Sequence, residues 1–252
     1  MRRPLLTAVL LAGAIALWQG IASLPGVDDL TLASPVETAR ALGDDWGLLT
    51  SNMWTTLEEV LLGLALAVVL GVGSAVAMHM WRPLRDAAYP LLIASQAIPI
   101  PVAAEIFVLA FDYGIGPKIA IVALMCFFPI TVNLLDGLRG TDRDLLKLMR
   151  SLGAARGQTL RKVELPACLP YLFSGLRVAA TVSVIGAVFG EWAGAEDGLG
   201  RLVLLGSQQI ETARTYAGVV ILTAMAVALF ALVTLAERVA VPWNRRQGAR
   251  TA

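Results

Sequence analysis

Residues 139–166, RGTDRDLLKLMRSLGAARGQTLRKVELP, form a charged segment between two long apolar stretches. Within it, Gly153 is followed ten residues later by Val163 and then by Leu165 and Pro166. A stretch this polar does not stay inside a lipid bilayer, because each charged side chain is costly there. The segment therefore predicts a water-exposed loop that joins two membrane-spanning helices.

The same segment has the pattern of two short helices that meet at Gly153. Thr141 and Asp144 have the spacing of a capping box, and Gly153 suits a left-handed helix end. Four apolar residues repeat on one helical face: Leu145, Leu148, Met149 and Leu152. A second helix is predicted over about residues 155–163, with Pro166 ending it. Helical pattern alone also fits an amphipathic helix that lies on the membrane surface.

The composition of the whole chain indicates a membrane protein. Of its 252 residues, 57% are hydrophobic and 15% are charged, which is more apolar than a typical soluble domain. Six apolar stretches are near the length that crosses a bilayer: 5–24, 60–80, 91–111, 119–135, 170–190 and 217–235. We expect an all-α protein with six transmembrane helices in a single membrane domain, 1–252. The first stretch also resembles a signal peptide, but it is long for one.

Basic residues are distributed unevenly between the predicted loops. If the N-terminus is cytoplasmic, fifteen Lys and Arg residues face the cytoplasm, and four face the outside: Arg40, Lys118, Arg201 and Arg214. This positive-inside pattern predicts that both termini are cytoplasmic, and it accounts for the bases without a nucleic-acid partner.

The third predicted span, LLIASQAIPIPVAAEIFVLAF, is unlike the others. Pro99 and Pro101 each remove a backbone donor and break or kink a helix. Gln96 and Glu105 bring polar groups to membrane depth, where such groups by default face a bundle interior or an aqueous path. Broken backbone in a membrane is tolerated where it lines a cavity or is buried in protein. This span is predicted to line a path, although Glu105 also fits the outer interface.

Other polar residues in the spans carry weaker signals. Asn133 fits a contact with another helix as well as one with a solute, and Arg177 is expected to extend towards the membrane surface. Cys126 and Cys168 do not form a metal-binding pattern or a disulfide framework. The single histidine, His79, is expected at the membrane interface.

The spacing of Gly153, Val163, Leu165 and Pro166 resembles the cytoplasmic loop signature of permease subunits in bacterial ABC importers. The chain is most similar to the type I branch that handles nitrate, sulfonates and taurine, with relatives for thiamine-type pyrimidine precursors. The similarity covers about residues 50–240, the expected core. Residues 96–101 resemble the branch's third span, and residues 150–154 resemble the middle of its loop. Glu191 and Trp192, with residues 198–200, resemble the segment after its fifth span.

This resemblance implies a coupling helix between helices 4 and 5, in a loop over 139–166. The implied ATPase-docking residues are Asp144, Lys147, Arg150, Gly153, Ala154, Val163, Leu165 and Pro166. The expected translocation-path residues are Gln96, Pro99, Pro101, Glu105, Asn133, Glu191 and Trp192. The implied partners are ABC ATPase subunits, which hold ATP and magnesium, a second permease copy forming a homodimer, and an extracytoplasmic solute-binding protein. The implied location is the bacterial cytoplasmic (inner) membrane.

Two departures from the family pattern bear on function. Lys147, Leu148 and Met149 stand where the family often has Glu-Ala-Ala, which reverses one charge of the docking surface. Glu105 stands where an apolar residue or proline is expected. It suggests a path that selects a cationic or amine-bearing solute.

Motifs for other functions are missing from the sequence. No GxxxxGK[ST] loop is present, so the chain is not expected to bind ATP or another cofactor itself. No HExxH or GxSxG motif supports an enzyme or a metal site. The remaining alternative is a self-sufficient ion-coupled carrier or channel, but the repeated halves typical of such carriers are not evident.

Overall fold

A computed structural model describes residues 2–26, 28 and 30–243, without the side chains of residues 2–4. Arg245, Arg246 and Arg250, which contribute to the predicted charge bias, lie outside the described residues. The helices are α1 (Arg2–Ala22), α2 (Pro35–Asp44), α3 (Trp46–Met80), α4 (Arg82–Ser95), α5 (Ile100–Phe111), α6 (Ile115–Arg139), α7 (Arg143–Ser151), α8 (Arg156–Thr159), α9 (Leu165–Gly194), α10 (Leu199–Gln208) and α11 (Thr212–Ala240). A π-helical turn, Leu160–Glu164, joins α8 to α9.

Five helices in the described part of the chain are long and apolar enough to cross a membrane. They are α1, α3, α6, α11 and the continuous stretch Arg156–Gly194. The pair α4 and α5 passes the same test as one unit, but the two helices are bent by 103° at their break. Six spans are present if this pair counts as one, in agreement with the predicted number.

The break between α4 and α5 falls where the prolines predict it. The first helix ends at Ser95 and the next begins at Ile100, with Pro99 as its N-terminal cap. Pro99 and Pro101 cannot donate helical hydrogen bonds, so a continuous helix would lose two bonds there. The third span is therefore confirmed as a broken one.

The centre of the bundle is built by α6, which packs between α3 and α9. Glycines permit this close approach: a Cβ on Gly63 would collide with Val122, and one on Gly175 would lie 2.7 Å from the carbonyl oxygen of Pro129. Small residues are the usual means of close helix packing in lipid. This packing places α6 and α9 side by side along much of their length.

Some helix boundaries differ from the sequence expectation. The second span begins at Trp46, not near residue 60, so Glu59 lies inside a helix of the bundle. Ser34 followed by Pro35 and Glu37 has the sequence pattern of a helix start, and α2 begins there with Ser34 and Glu37 forming a capping box. Gly43 is a possible helix end by sequence, but α2 continues to Asp44. A further short helix, α10, spans Leu199–Gln208 and begins directly after Gly198.

Candidate transport path and docking loop

The first half of the loop is a short helix with a well-defined start. The side chain of Asp142 caps α7 by accepting a hydrogen bond from the Asp144 backbone N–H at 2.8 Å. The prediction that Thr141 caps this helix is wrong. Its side chain is buried, and its hydroxyl has no hydrogen-bond partner among the described residues. Thr141 is directed into the bundle, so it is not available to the helix end.

Gly153 ends α7 in the predicted left-handed conformation, with φ +73°. The Ala154 N–H donates to the Met149 carbonyl at 3.0 Å, and the Gly153 N–H donates to the Arg150 carbonyl at 2.9 Å. This pattern satisfies carbonyls at the helix end and turns the chain sharply. A residue with a Cβ is strained at this φ, so glycine sets the angle between the two halves of the loop.

The apolar face of α7 is exposed. Leu145, Leu148 and Leu152 are 40%, 54% and 72% exposed, and no residue of α7 is buried. On the polar side, the Lys147 ammonium donates to Asp144 at 2.7 Å, with both side chains in contact with solvent. An amphipathic helix needs a partner for its apolar stripe, so α7 has the surface expected of a docking element.

The second half of the loop differs from the prediction. Instead of one helix over 155–163 that Pro166 ends, α8 is a single turn, and the π-helical turn leads directly into α9. The Leu165 N–H donates to the Leu160 carbonyl, five residues back. Pro166 then lies in the first turn of α9, where its missing N–H costs little. The loop is thus continuous with the fifth span, and Leu160 and Leu165 pack against the core at that end of the bundle.

A polar contact ties the loop to α3. His79, in the last turn of α3, lies 3.1 Å from the Glu164 carboxylate of the π-helical turn. The Arg156 guanidinium donates to the His79 backbone carbonyl at 3.1 Å. These two bonds connect both sides of the loop's second half to the end of a neighbouring span.

Two of the predicted path residues meet at a cavity of about 370 Å³ beside the break in the third span. Gln96 lies at the break, and Asn133 faces it from α6, where its amide donates to the Pro129 carbonyl at 2.8 Å. The wall consists of Ser95, Gln96, Ile100, Leu124, Met125, Phe128, Pro129, Val132, Asn133, Val178 and Val182. None of these side chains carries a charge. Pro99 and Pro101 flank the break that opens this space.

The other predicted path residues lie elsewhere. Glu105 is exposed on the same side of α5 as Ile106 and Leu109, whereas Ala103 and Ala104 face the bundle. Glu191 is fully buried near the end of α9: the Thr56 hydroxyl donates to it at 2.6 Å and the Arg201 N–H at 3.0 Å. Both residues are separate from the cavity.

Trp192 lies beside this buried carboxylate. Its indole N–H donates to the Gly200 carbonyl at 2.9 Å, and its side chain borders a cleft at the end of the bundle opposite the loop. The path roles of Glu105, Glu191 and Trp192 stay predictions.

Two ion pairs, one buried and one partly buried, were not predicted from the sequence. Lys118 donates to Glu59 at 2.7 Å, with only 10% and 1% of the two side chains exposed. Both residues stand one position outside a predicted apolar stretch, and the charge pattern alone places Lys118 among the outward-facing bases. Arg177 pairs with Glu237, in the last turn of α11, at 2.5 Å, with 29% and 14% of the two side chains exposed. The sequence offered only a general signal for these pairs, namely that an ionisable residue beside a membrane-depth segment needs a partner. That signal does not identify the partner.

The described bundle, with a broken third span and an amphipathic hairpin between the fourth and fifth, is that of the membrane-spanning permease of a type I ABC importer. A solved structure of the MetNI methionine ABC transporter shares this fold, with a TM-score of 0.70 at 18% identity over 78% of this chain and 98% of that one. A chain of an amino acid ABC transporter aligns with a TM-score of 0.60 at 19% identity, over 78% of this chain and 96% of that one.

Sequence comparison identifies the family. Residues 67–246 match the family described as the binding-protein-dependent transport system inner membrane component, and the chain belongs to it. It is 36% identical to the formylaminopyrimidine transport permease protein ThiX of Halalkalibacterium halodurans, over 92% of this chain and 93% of that protein. It is 30% identical to a putative aliphatic sulfonates transport permease, SsuC, of Bacillus subtilis, over 97% and 88% of the two chains.

The chain is therefore a multi-pass inner-membrane permease subunit that works with ABC ATPase subunits. This class differs from the self-sufficient carrier or channel that the sequence left as an alternative.

Proposed function

We propose that two copies of this chain form the membrane part of an importer that receives its solute from an extracytoplasmic binding protein. In this proposal the loop over 139–166 and both termini face the cytoplasm, and the partner ATPase, not this chain, is expected to carry the catalytic site and its cofactor. A single copy with a cavity open at its side does not enclose a path, which supports the homodimer. The whole chain, 1–252, acts as one permease domain.

The main support for the proposal is the exposed apolar face of α7, where an ATPase subunit would dock. The exposed leucines of α7 form the apolar surface that an ATPase subunit covers, and the rigid turn at Gly153 presents this surface. Asp144, Lys147, Arg150 and Ala154 surround it on the polar side and the turn. Val163, Leu165 and Pro166 form the base that passes the motion to α9.

The relatives suggest the solute class. The 36% identical relative is named for formylaminopyrimidine, and the 30% identical one for aliphatic sulfonates. We propose a pyrimidine-type thiamine precursor as the solute, with a sulfonate-type anion as the second candidate. The ATPase partner supplies the energy by binding and hydrolysing ATP with magnesium.

A co-purification experiment tests the docking. The native chain, solubilised in mild detergent, is expected to carry its ATPase subunit. Leu148→Glu places a charge on the apolar face and is expected to release the ATPase, whereas Ser151→Glu adds the same charge off that face and retains it. Gly153→Pro is expected to abolish transport but not membrane insertion, because proline cannot adopt a φ of +73°.

Two results would contradict the docking proposal. One is equal retention of the ATPase by the two glutamate variants, which would show that the apolar face is not the contact surface. The other is a native chain that carries no ATPase under any mild condition.

A further inference from the structure

The cavity beside the broken third span has the chemistry of a solute site, not of a packing defect. Its volume of about 370 Å³ lies in the range of small-molecule pockets. We propose that it binds an uncharged, planar solute with both hydrogen-bond donors and acceptors, such as an aminopyrimidine, during transit. This inference rests on the proposed importer function and adds to it the site and the charge of the solute.

The walls suit a flat ring. Phe128, Met125 and Leu124 line the α6 side, and Val178 and Val182 line the α9 side. Such apolar and aromatic surfaces favour a heteroaromatic ring by area burial and by stacking or edge contacts. A strongly hydrated, non-planar group gains little from them.

The polar groups at the cavity can both donate and accept. The Asn133 amide uses one N–H for the Pro129 carbonyl, and its oxygen has no partner among the described residues. Gln96 makes only a long contact of 3.4 Å to the Ser95 hydroxyl, so its carboxamide is also available. Ser95, whose hydroxyl donates to the Leu92 carbonyl at 2.7 Å, adds a further oxygen at the same cavity. An aminopyrimidine presents complementary donors and acceptors on one ring edge.

The cavity lacks a charge to neutralise an anion. Lys118 on α6 and Arg177 on α9, the helices that form its walls, are already paired with Glu59 and Glu237. Moving a sulfonate into an uncharged cavity at membrane depth would leave that charge unpaired, which is strongly unfavourable. Glu105 is on another side of α5, so it does not make the cavity acidic.

The test is ATP-driven uptake by the purified complex, with its ATPase and binding protein, in proteoliposomes. The probes are labelled formylaminopyrimidine and taurine. Gln96→Leu and Asn133→Leu each remove hydrogen-bonding capacity from the cavity. We expect each to lower formylaminopyrimidine uptake about fivefold, the effect of one lost hydrogen bond, with ATPase activity retained. Gln96 is exposed, so its variant is expected to fold normally even if the Asn133 variant does not.

Thr223→Leu on α11 is the matched control, because it makes the same polar-to-leucine change outside the cavity, at a hydroxyl that donates to the Val219 carbonyl of its own helix. It is expected to leave uptake and solute preference unchanged. The inference is overturned if both cavity variants transport normally, or if Thr223→Leu lowers uptake as much as they do. It is also overturned if the native complex takes up taurine but not formylaminopyrimidine. If native complex takes up neither probe although ATP is hydrolysed, the proposed solute classes fail; if no ATPase associates, the proposed function itself fails.

Discussion

Removing one partner of the Lys118–Glu59 pair is expected to destabilise the bundle strongly. We consider the variant Lys118→Met, which keeps the length of the side chain and removes its charge. Glu59 is 1% exposed, and one of its carboxylate oxygens already lacks a partner among the described residues. Its bond of 2.7 Å to the Lys118 ammonium is an ionic contact that offsets part of the cost of its burial. Without the ammonium, a carboxylate is left in a low-dielectric interior.

The size of the effect follows from this burial. Breaking a buried ion pair by removing one partner costs about 3–5 kcal/mol. At roughly 2–4 °C per kcal/mol for a chain of this size, the melting temperature falls by about 6–20 °C. The reverse variant, Glu59→Gln, should cost less, because Lys118 borders a cleft at the bundle end and its ammonium can reach water. The double variant should recover most of the loss, since no unpaired charge remains.

The assay is thermal unfolding of the detergent-purified permease, followed by the loss of monodisperse protein after heating. The four proteins of the cycle are native, each single variant and the double variant, and the coupling between the two positions is the quantity of interest. If Lys118→Met melts within about 2 °C of native, less than 1 kcal/mol is involved and the argument is refuted. Additive single effects would also refute it, because they would mean that the two side chains do not interact.

Two further predictions concern the ends of the bundle. Gly198→Ala should destabilise the protein by about 2 kcal/mol or more, because φ at this position is +122° and the new Cβ would collide with the Glu191 carboxylate. The control is Gly73→Ala, in open space within α3, which should be neutral or stabilising in the same melting assay. His79→Ala should lower solute moved per ATP hydrolysed about twofold or more, because it removes the side-chain bond to Glu164; an unchanged ratio in proteoliposomes would show that this contact does not couple the loop to α3.

Local signals in the sequence predicted the features that depend on local chemistry. Ser34 and Glu37 identified the start of α2, the two prolines located the break in the third span, and Gly153 identified the left-handed turn. Each is a rule about one or two residues and their own backbone, so no tertiary information was needed.

Features that depend on contacts between distant segments were not predictable in the same way. Thr141 has the sequence of a cap, but its side chain is buried in the bundle, so Asp142 takes the role. Pro166 was expected to end a helix. It lies instead in the first turn of α9, directly after the π-helical turn. Glu59 and Lys118 are 59 positions apart, and their pairing depends on how α3 lies against α6. A single sequence carries no record of that register.

The path residues show the same difference between local signals and long-range contacts. Gln96 and Asn133 were predicted as path residues because polar groups at membrane depth usually have a partner or face a path. The fold brings both to one cavity. Glu191 was selected by resemblance, and it is fully buried in a polar network near the opposite end of α9. Its hydrogen bonds to Thr56 and Arg201 depend on three helices, which no local pattern describes.

The continuity of the loop with α9 makes that helix a lever. Its 30 residues span about 45 Å, so a tilt of about 5° imposed at Leu165 displaces the far end by roughly 4 Å. The same rod carries Val178 and Val182 on the cavity wall and Glu191 near its tip. A tilt of α9 at the loop would therefore move the cavity wall and the Glu191 network together, because one helix carries both.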